Sequence, residues 1–196
     1  MEYSFHVPYL CCMEKRETII HAAMKLFTDN GVQATPMSAI AKAADTGMGT
    51  IYNYFPTKED LINEIYLYIK REQFKVLMLP VSEESIKKRF DHFYRSMILY
   101  YIKNPLQFRF MDQFQTSPIL TDKTRKDGRE TAAMFISMIE KGQDEGIFKP
   151  IPFNELTHFL TGGVFGFIRW IMNEKIPLTQ ALLDNQIRLA WDTVKQ

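Results

Sequence analysis

The stretch TPMSAIAKAADTGMGTIYNYF, Thr35 to Phe55, decides how the rest of the chain is read. Pro36 suits a first helical position, where its missing N–H leaves no bond unmade, and Thr35 before it is an N-cap residue type. Met37, Ile40, Ala41 and Ala44 follow at helical spacing and lay one apolar stripe on a short helix. Asp45 can enter the left-handed region at the break, and Gly47 supplies a cap for a second short helix, about Met48 to Phe55, closed by Pro56. In that helix Ile51 and Phe55 face inward, which leaves Met48, Gly49, Thr50, Tyr52, Asn53 and Tyr54 on its sides and outer face. Two short helices joined by a tight turn, the second carrying such side chains, make the pattern of a helix-turn-helix. A plain three-helix cluster with half-buried tyrosines is the alternative.

Working outward, Ile19, Ile20, Ala23, Leu26 and Phe27 predict a first helix over Glu14–Asn30, stopped by the Asn30-Gly31 pair. On the other side Thr57 caps a longer helix, with Asp60 in capping-box position, running to about Leu79 before Pro80. Further helices are expected near 82–103 (capped by Ser82), 105–116, 120–145, 153–173 and 178–195, nine in all. No β-branched alternation competes with them. The fold class is all-α, divided into an N-terminal arm (1–13), a helix-turn-helix domain (14–58) and a larger helical domain (59–196).

The totals narrow the function classes. A chain of 196 residues with 46% hydrophobic content can bury a substantial core. Its longest apolar run, Phe159–Met172, is broken by Arg169, so no membrane span is expected, and the N-terminus lacks the pattern of a secretion signal. Cys11 and Cys12 are adjacent and form no disulfide framework, which points to the cytoplasm. The histidines show no ligand spacing and no nucleophile elbow or phosphate loop is present, so neither a metal, a cofactor nor a catalytic site is expected. Charge is uneven: residues 1–60 hold five Lys/Arg against seven Asp/Glu, the opposite of a basic nucleic-acid footprint. The basic runs Lys87–Phe90 and Lys123–Lys126 read as solvated faces.

Tyrosine, threonine and asparagine donate to phosphate oxygens, and asparagine can also pair with a base edge. Gly49 removes a side chain where a backbone needs to approach, and Lys58 begins the next helix, so a cation and free N–H groups could meet one phosphate. From Glu14 to Leu61, the runs AAMKLFTDNGVQAT, MSAIAKAADTGMGTIYNYF and PTKEDL, in order and without gaps, resemble the TetR-type bacterial transcriptional regulators. The resemblance implies a positioning helix over Thr35–Ala44 whose start, near Thr35 and Ser38, approaches the DNA backbone. It implies a recognition helix over Met48–Tyr54, with Thr50, Asn53 and Tyr54 as contacting positions and Tyr52 and Lys58 gripping phosphate. Asp45 and Met48 depart from the family's usual glycine and its usual basic or polar residue. Affinity is then expected to be modest unless Lys15, Arg16 and Lys58 compensate, and Met48 would favour an apolar feature such as a thymine methyl. The residues before Met13 have no family counterpart: they form an added arm, or Met13 is the start.

The resemblance further implies a homodimer acting as a ligand-released repressor on a double-stranded operator, with an effector cavity among the helices of 82–145. Phe93, Tyr94, Met97, Tyr101, Phe108, Met111, Phe114, Phe135 and Met138 are the candidate liners, suited to an apolar or aromatic effector. Plain core packing is the competing account of the same residues. Gly162, Gly163 and Gly166 stand within one helix, where each is unfavourable relative to alanine, which suggests close approach of another backbone. Pairing through helices 153–173 and 178–195 is what the family implies. The rival functions are a helical interaction protein without operator binding and an enzyme using the aromatic bundle.

Overall fold

Apolar side chains recur at helical spacing along nearly the whole chain, and the computed structural model is helical accordingly. It describes residues 7–77, 85–130 and 132–196. Ten helices lie among them: α1 Val7–Asn30, α2 Met37–Ala43, α3 Met48–Tyr54, α4 Lys58–Leu77, α5 Ile86–Lys103, α6 Pro105–Phe114, α7 Asp122–Glu130, α8 Ala133–Asp144, α9 Phe153–Asn173 and α10 Gln180–Val194. A single antiparallel bridge, Phe148 to Lys195, is the other backbone pairing between distant segments.

Several boundaries differ from those expected. The first helix begins at Val7 rather than Glu14, so part of the presumed arm continues α1. The one helix expected over 120–145 is two, α7 and α8. The sequence of α7, DKTRKDGRE, has no apolar face to bury and ends on a glycine-containing turn, whereas α8 is apolar, so nothing carries one stripe across both. The cap of α5 is Ser85, whose Oγ accepts from the Lys88 N–H at 3.4 Å; Ser82 and Pro80 lie outside the described residues.

The chain divides into two compact units. One holds α1 to α3, α4 as far as Ile69, and Leu106–Asp127; the other holds Lys70–Pro105 and Gly128–Gln196. In the first, Ile19, Ile20, Met24 and Phe27 of α1, Ile40 and Ala41 of α2, Ile51 of α3 and Leu61, Ile62 and Ile65 of α4 are buried. Those on α1 and on α4 recur at helical spacing, and burial of these side chains is the main force folding short helices that would not persist alone. Caps fix the joints. Thr57 Oγ1 accepts from the Asp60 N–H at 3.0 Å and donates to the Asp60 carboxylate, as the sequence suggests. Gly31 (φ 79°) closes α1 in the left-handed region.

The second unit is built around α5, which packs against α8, α9 and α10. Phe90, Phe148 and Trp191 form an edge-on aromatic cluster, with Phe90 and Phe148 each within 5.6 Å of the Trp191 ring centroid. Tyr101 meets Phe165 of α9 at 5.2 Å. Gly142 is where this cluster needs a missing side chain, because a Cβ there would stand 2.2 Å from Phe148 Cδ2.

Candidate nucleic-acid interface

Helix α3 is oriented by its two apolar anchors. Ile51 is fully buried and Phe55 is 3% exposed, so the opposite side of the helix faces outward. There Tyr52 is 47% exposed and Met48 39% exposed, one turn apart, with Asn53 and Gly49 also exposed. Thr50 and Tyr54 are half-buried at the flanks. Gly49 has open space where a Cβ would be, which permits close approach of another backbone. Ser38, on α2, is exposed. The outer face therefore offers hydroxyls, one amide and one thioether, a neutral set suited to phosphate oxygens and base edges.

The turn between α2 and α3 has the predicted form. Asp45 adopts φ 47°, and Gly47 precedes α3 in extended conformation. Lys15 of α1 donates to the Asp45 carbonyl at 3.0 Å and pins the turn.

Thr35 corrects the sequence reading. The cap position of α2 is Pro36, without a side-chain cap bond. Thr35 is 1% exposed, and its hydroxyl is directed at the Gly31 carbonyl (2.8 Å) and the Leu26 carbonyl (3.3 Å). It is a fastener of the α1–α2 connection and presents nothing outward. The expected compensating cations are also engaged internally. Arg16 pairs with Glu64 at 2.8 Å and lies 5.5 Å from the centroid of the Phe55 ring. Lys58 is half-buried and donates to the Val32 carbonyl at 3.1 Å. Lys42, which the sequence reading passed over, is exposed in the last turn of α2. Its placement carries two meanings, since a cation at a helix C-terminus also complements the helix dipole.

The nine candidate effector residues divide between the two units. Phe108, Met111 and Phe114 are buried in the first unit, whereas Tyr94, Met97, Tyr101, Phe135 and Met138 are buried in the second. Phe93, half-buried, stacks on Phe135 at 4.0 Å. None of the nine lines the surface groove of about 400 Å³ between α9 and α10, which is formed by Gly163, Gly166, Phe167, Trp170, Leu182, Asn185, Gln186 and Leu189. Beneath it, a Cβ on Gly163 would stand 3.0 Å from the Tyr94 hydroxyl, while one on Gly162 or Gly166 would meet nothing within 4 Å among the described residues. Burial pushes the Tyr94 hydroxyl pKa up, and its hydrogen bond with Gln186 opposes that rise. Trp170 and Leu189 at the groove, and Phe159 a few turns earlier on α9, are large apolar side chains about half exposed or more. Among the described residues no cluster of His, Cys, Asp or Glu is arranged to hold a metal, and no helix is long and apolar enough to cross a membrane.

Comparison with known proteins matches this architecture. Residues 19–65 match the family model for bacterial regulatory proteins of the tetR family, and residues 70–196 match that for the tetracyclin repressor-like C-terminal domain. An uncharacterized HTH-type transcriptional regulator of Bacillus subtilis, YhgD, is 42% identical over 60 residues, so the match spans only 31% of either chain. The HTH-type transcriptional regulator LuxR of Vibrio harveyi is 21% identical over 160 residues, 78% of each chain. Among solved structures, a TetR family transcription regulator from Marinobacter aquaeolei superposes with a TM-score of 0.88 at 22% identity, covering 96% of this chain and 99% of that one. One from Haemophilus influenzae gives 0.77 at 17% identity, covering 94% and 98%. At such identities the likeness speaks for the fold, whereas the two family models together run through both units. The chain belongs to the TetR family of bacterial regulatory proteins.

Proposed function

We propose that this regulator is a cytoplasmic, homodimeric repressor that binds an operator through α3 and leaves it when a small apolar or aromatic effector binds the larger helical domain. The observation that carries the reading is the division of α3: Ile51 and Phe55 are buried, while Met48, Tyr52 and Asn53 stand outward. A rod anchored on one side and polar on the other is the form that enters a major groove. We call the body bearing it the reading head. Tyr52, with Ser38, Thr50 and Tyr54 around it, holds phosphate; Asn53 and Met48 read base edges; Lys58 contributes charge beyond its bond to Val32. The function requires no cofactor and no catalytic residue.

Pairing is assigned to α9 and α10. Exposed Trp170, Leu189 and Phe159, together with Gly162 and Gly166, which have open space for a Cβ among the described residues, make an apolar face that a second copy of itself would cover in an isologous arrangement. Effector control then works as a two-state equilibrium. Only a molecule that binds one spacing of the paired heads better than the other can shift it. The stacked Phe93–Phe135 pair, with Met97 and Met138 on the same two helices, is the favoured place for an aromatic effector. Helix α4 is continuous between the two units and serves as the connecting element.

The test is a gel shift with duplex DNA from the region upstream of the protein's own gene, alongside sedimentation analysis. A dimer that retards this duplex and is weakened by Tyr52→Phe supports the reading; a Tyr52→Phe protein binding as tightly as the parent removes it. The acidic balance of residues 1–60 favours a second reading, an interaction protein with this fold and no operator. Absence of any shift across low-salt conditions would select it. Mass spectrometry of small molecules retained on purification identifies the effector class, and turnover of such a molecule would instead select an enzyme.

A further inference from the structure

Asn63 is a polar amide in the apolar face of α4, buried alongside Leu61, Ile62, Ile65 and Tyr66. Its Nδ2 donates to the Ile119 carbonyl at 3.0 Å and to the Glu59 carbonyl of its own helix at 2.7 Å. Its Oδ1 accepts from the Thr121 N–H at 2.9 Å. One side chain thus brackets the backbone of the α6–α7 turn, using both faces of the amide at once. A primary amide can do this; a carboxylate could only accept, and an apolar side chain of equal size could do neither.

The turn it grips is itself stiff. Arg125 donates to the carbonyls of Gln115 (3.0 Å) and Ser117 (2.6 Å), and Thr121 Oγ1 accepts from the Thr124 N–H at 3.1 Å. A second tie joins α6 to the end of α1, where Arg109 pairs with Asp29 at 3.1 Å. That pair is exposed and weak by comparison, and Asp29 is also bonded to Lys25. The buried bracket is the specific one. An apolar side chain at this position would leave the Ile119 carbonyl and the Thr121 N–H without this partner, so the amide contributes to the position of the turn and to its stability together.

We infer that Asn63 is the positioning residue that makes residues 106–127 part of the reading head, so that the α6–α7 turn and α1–α3 open and shift as one cooperative body. A displacement of the turn is then a displacement of α3, although α4, α5 and α6 separate them in sequence. This inference concerns the mechanics of the fold and stands or falls independently of whether α3 binds an operator.

Native-state hydrogen exchange on the full chain tests it. Ile51→Val, in α3, removes one buried methyl group and should speed exchange in α2 about five-fold. With Asn63 in place, the amides of α6 and of Thr121 should speed up by the same factor, while those of α9 do not change. In the Asn63→Leu background, where the Thr121 N–H has lost its acceptor and no longer reports, the Ile51→Val effect should stay within α1–α3 and no longer reach the amides of α6. Should Asn63→Leu fail to fold, Asn63→Asp, which keeps the Thr121 bond and loses the Ile119 bond, should reduce the transmitted effect by part. The inference is overturned if α6 and Thr121 ignore Ile51→Val with Asn63 intact, if α6 follows it equally without Asn63, or if α9 responds to the same extent.

Discussion

The ammonium of Lys58 lies 3.1 Å from the carbonyl oxygen of Val32, tying the first residue of α4 to the connection between α1 and α2. This bond serves the joint that orients α3 and draws a cation partly away from the surface. Lys58→Ala should therefore act twice. Chemical denaturation should report a loss of about 1 kcal/mol for a charged hydrogen bond of intermediate burial. Binding to the upstream duplex should weaken uniformly across sequence variants, because phosphate contacts carry no base information.

Tyr52 and Asn53 should separate in their effects. Tyr52→Phe removes a hydroxyl and should weaken all duplexes alike. Asn53→Ala should relax preference at one base position, with discrimination there falling by roughly 1–3 kcal/mol. With Lys15 and Arg16 bonded internally, Lys42 and Lys58 are the candidate phosphate cations nearest α3 in sequence among the described residues. A plot of log K against log salt should then have a slope no steeper than about −4 for a dimer. A slope near −8 would show further cations reaching DNA.

Thr35→Val keeps the shape of a buried side chain and deletes its hydrogen bond to Gly31. It should cost about 1 kcal/mol in stability and leave the operator affinity of the folded protein unchanged. Loss of affinity at unchanged stability would return Thr35 to the interface.

Gly142→Ala places a methyl group 2.2 Å from Cδ2 of Phe148, whose ring is held against Phe90 and Trp191. The ring cannot turn aside without disturbing both neighbours. A loss of about 2 kcal/mol, seen as a melting temperature roughly 6 °C lower, is expected. Gly166→Ala, open to the surface in the isolated chain, should raise the monomer's stability by up to about 1 kcal/mol through helix propensity and at the same time raise the dimer's dissociation constant.

Lys70, half-buried on α4, has its pKa pushed down to about 8 by burial, from 10.5. The unfolded chain then holds more protons than the folded one between these values, so stability rises as pH climbs through that window, and below about pH 8 the full penalty of the buried charge is present. Relative to a Lys70→Met variant, the parent should gain about 1 kcal/mol across the window, less than the full shift implies because water still reaches the side chain. Urea titrations at the two ends of the window measure it.

Much of the first unit is legible in the sequence because its signals are local. The stripe Met37–Ala44, the positive φ at Asp45 and the Thr57–Asp60 cap each follow from residues within one turn of each other. Thr35 is misread for an equally local reason: threonine before proline suits a cap, and only the fold reveals carbonyls of Leu26 and Gly31 within reach of its hydroxyl. The engagement of Lys58 with Val32, and of Asn63 with Ile119 and Thr121, rests on residues far apart in the chain. No periodicity announces such partners. In the second unit the dense aromatics predict a bundle, but the same composition serves a packed core and a lined cavity equally well. The glycine with the tightest steric demand among the described residues, Gly142, sits near the end of α8, and its partner Phe148 is met only in the fold.

The inward bonding of Lys15 and Arg16, on a segment whose charges already sum to the acidic side, bears on how quickly such a protein finds its target. Long-range attraction is what accelerates encounter and holds a protein on arbitrary sequence while it tracks along a duplex. Without that pull, residence at random sites is brief and arrival depends on repeated free collisions. On the proposed operator reading, weak steering predicts slow occupation of a vacant site and little time spent on other sequence.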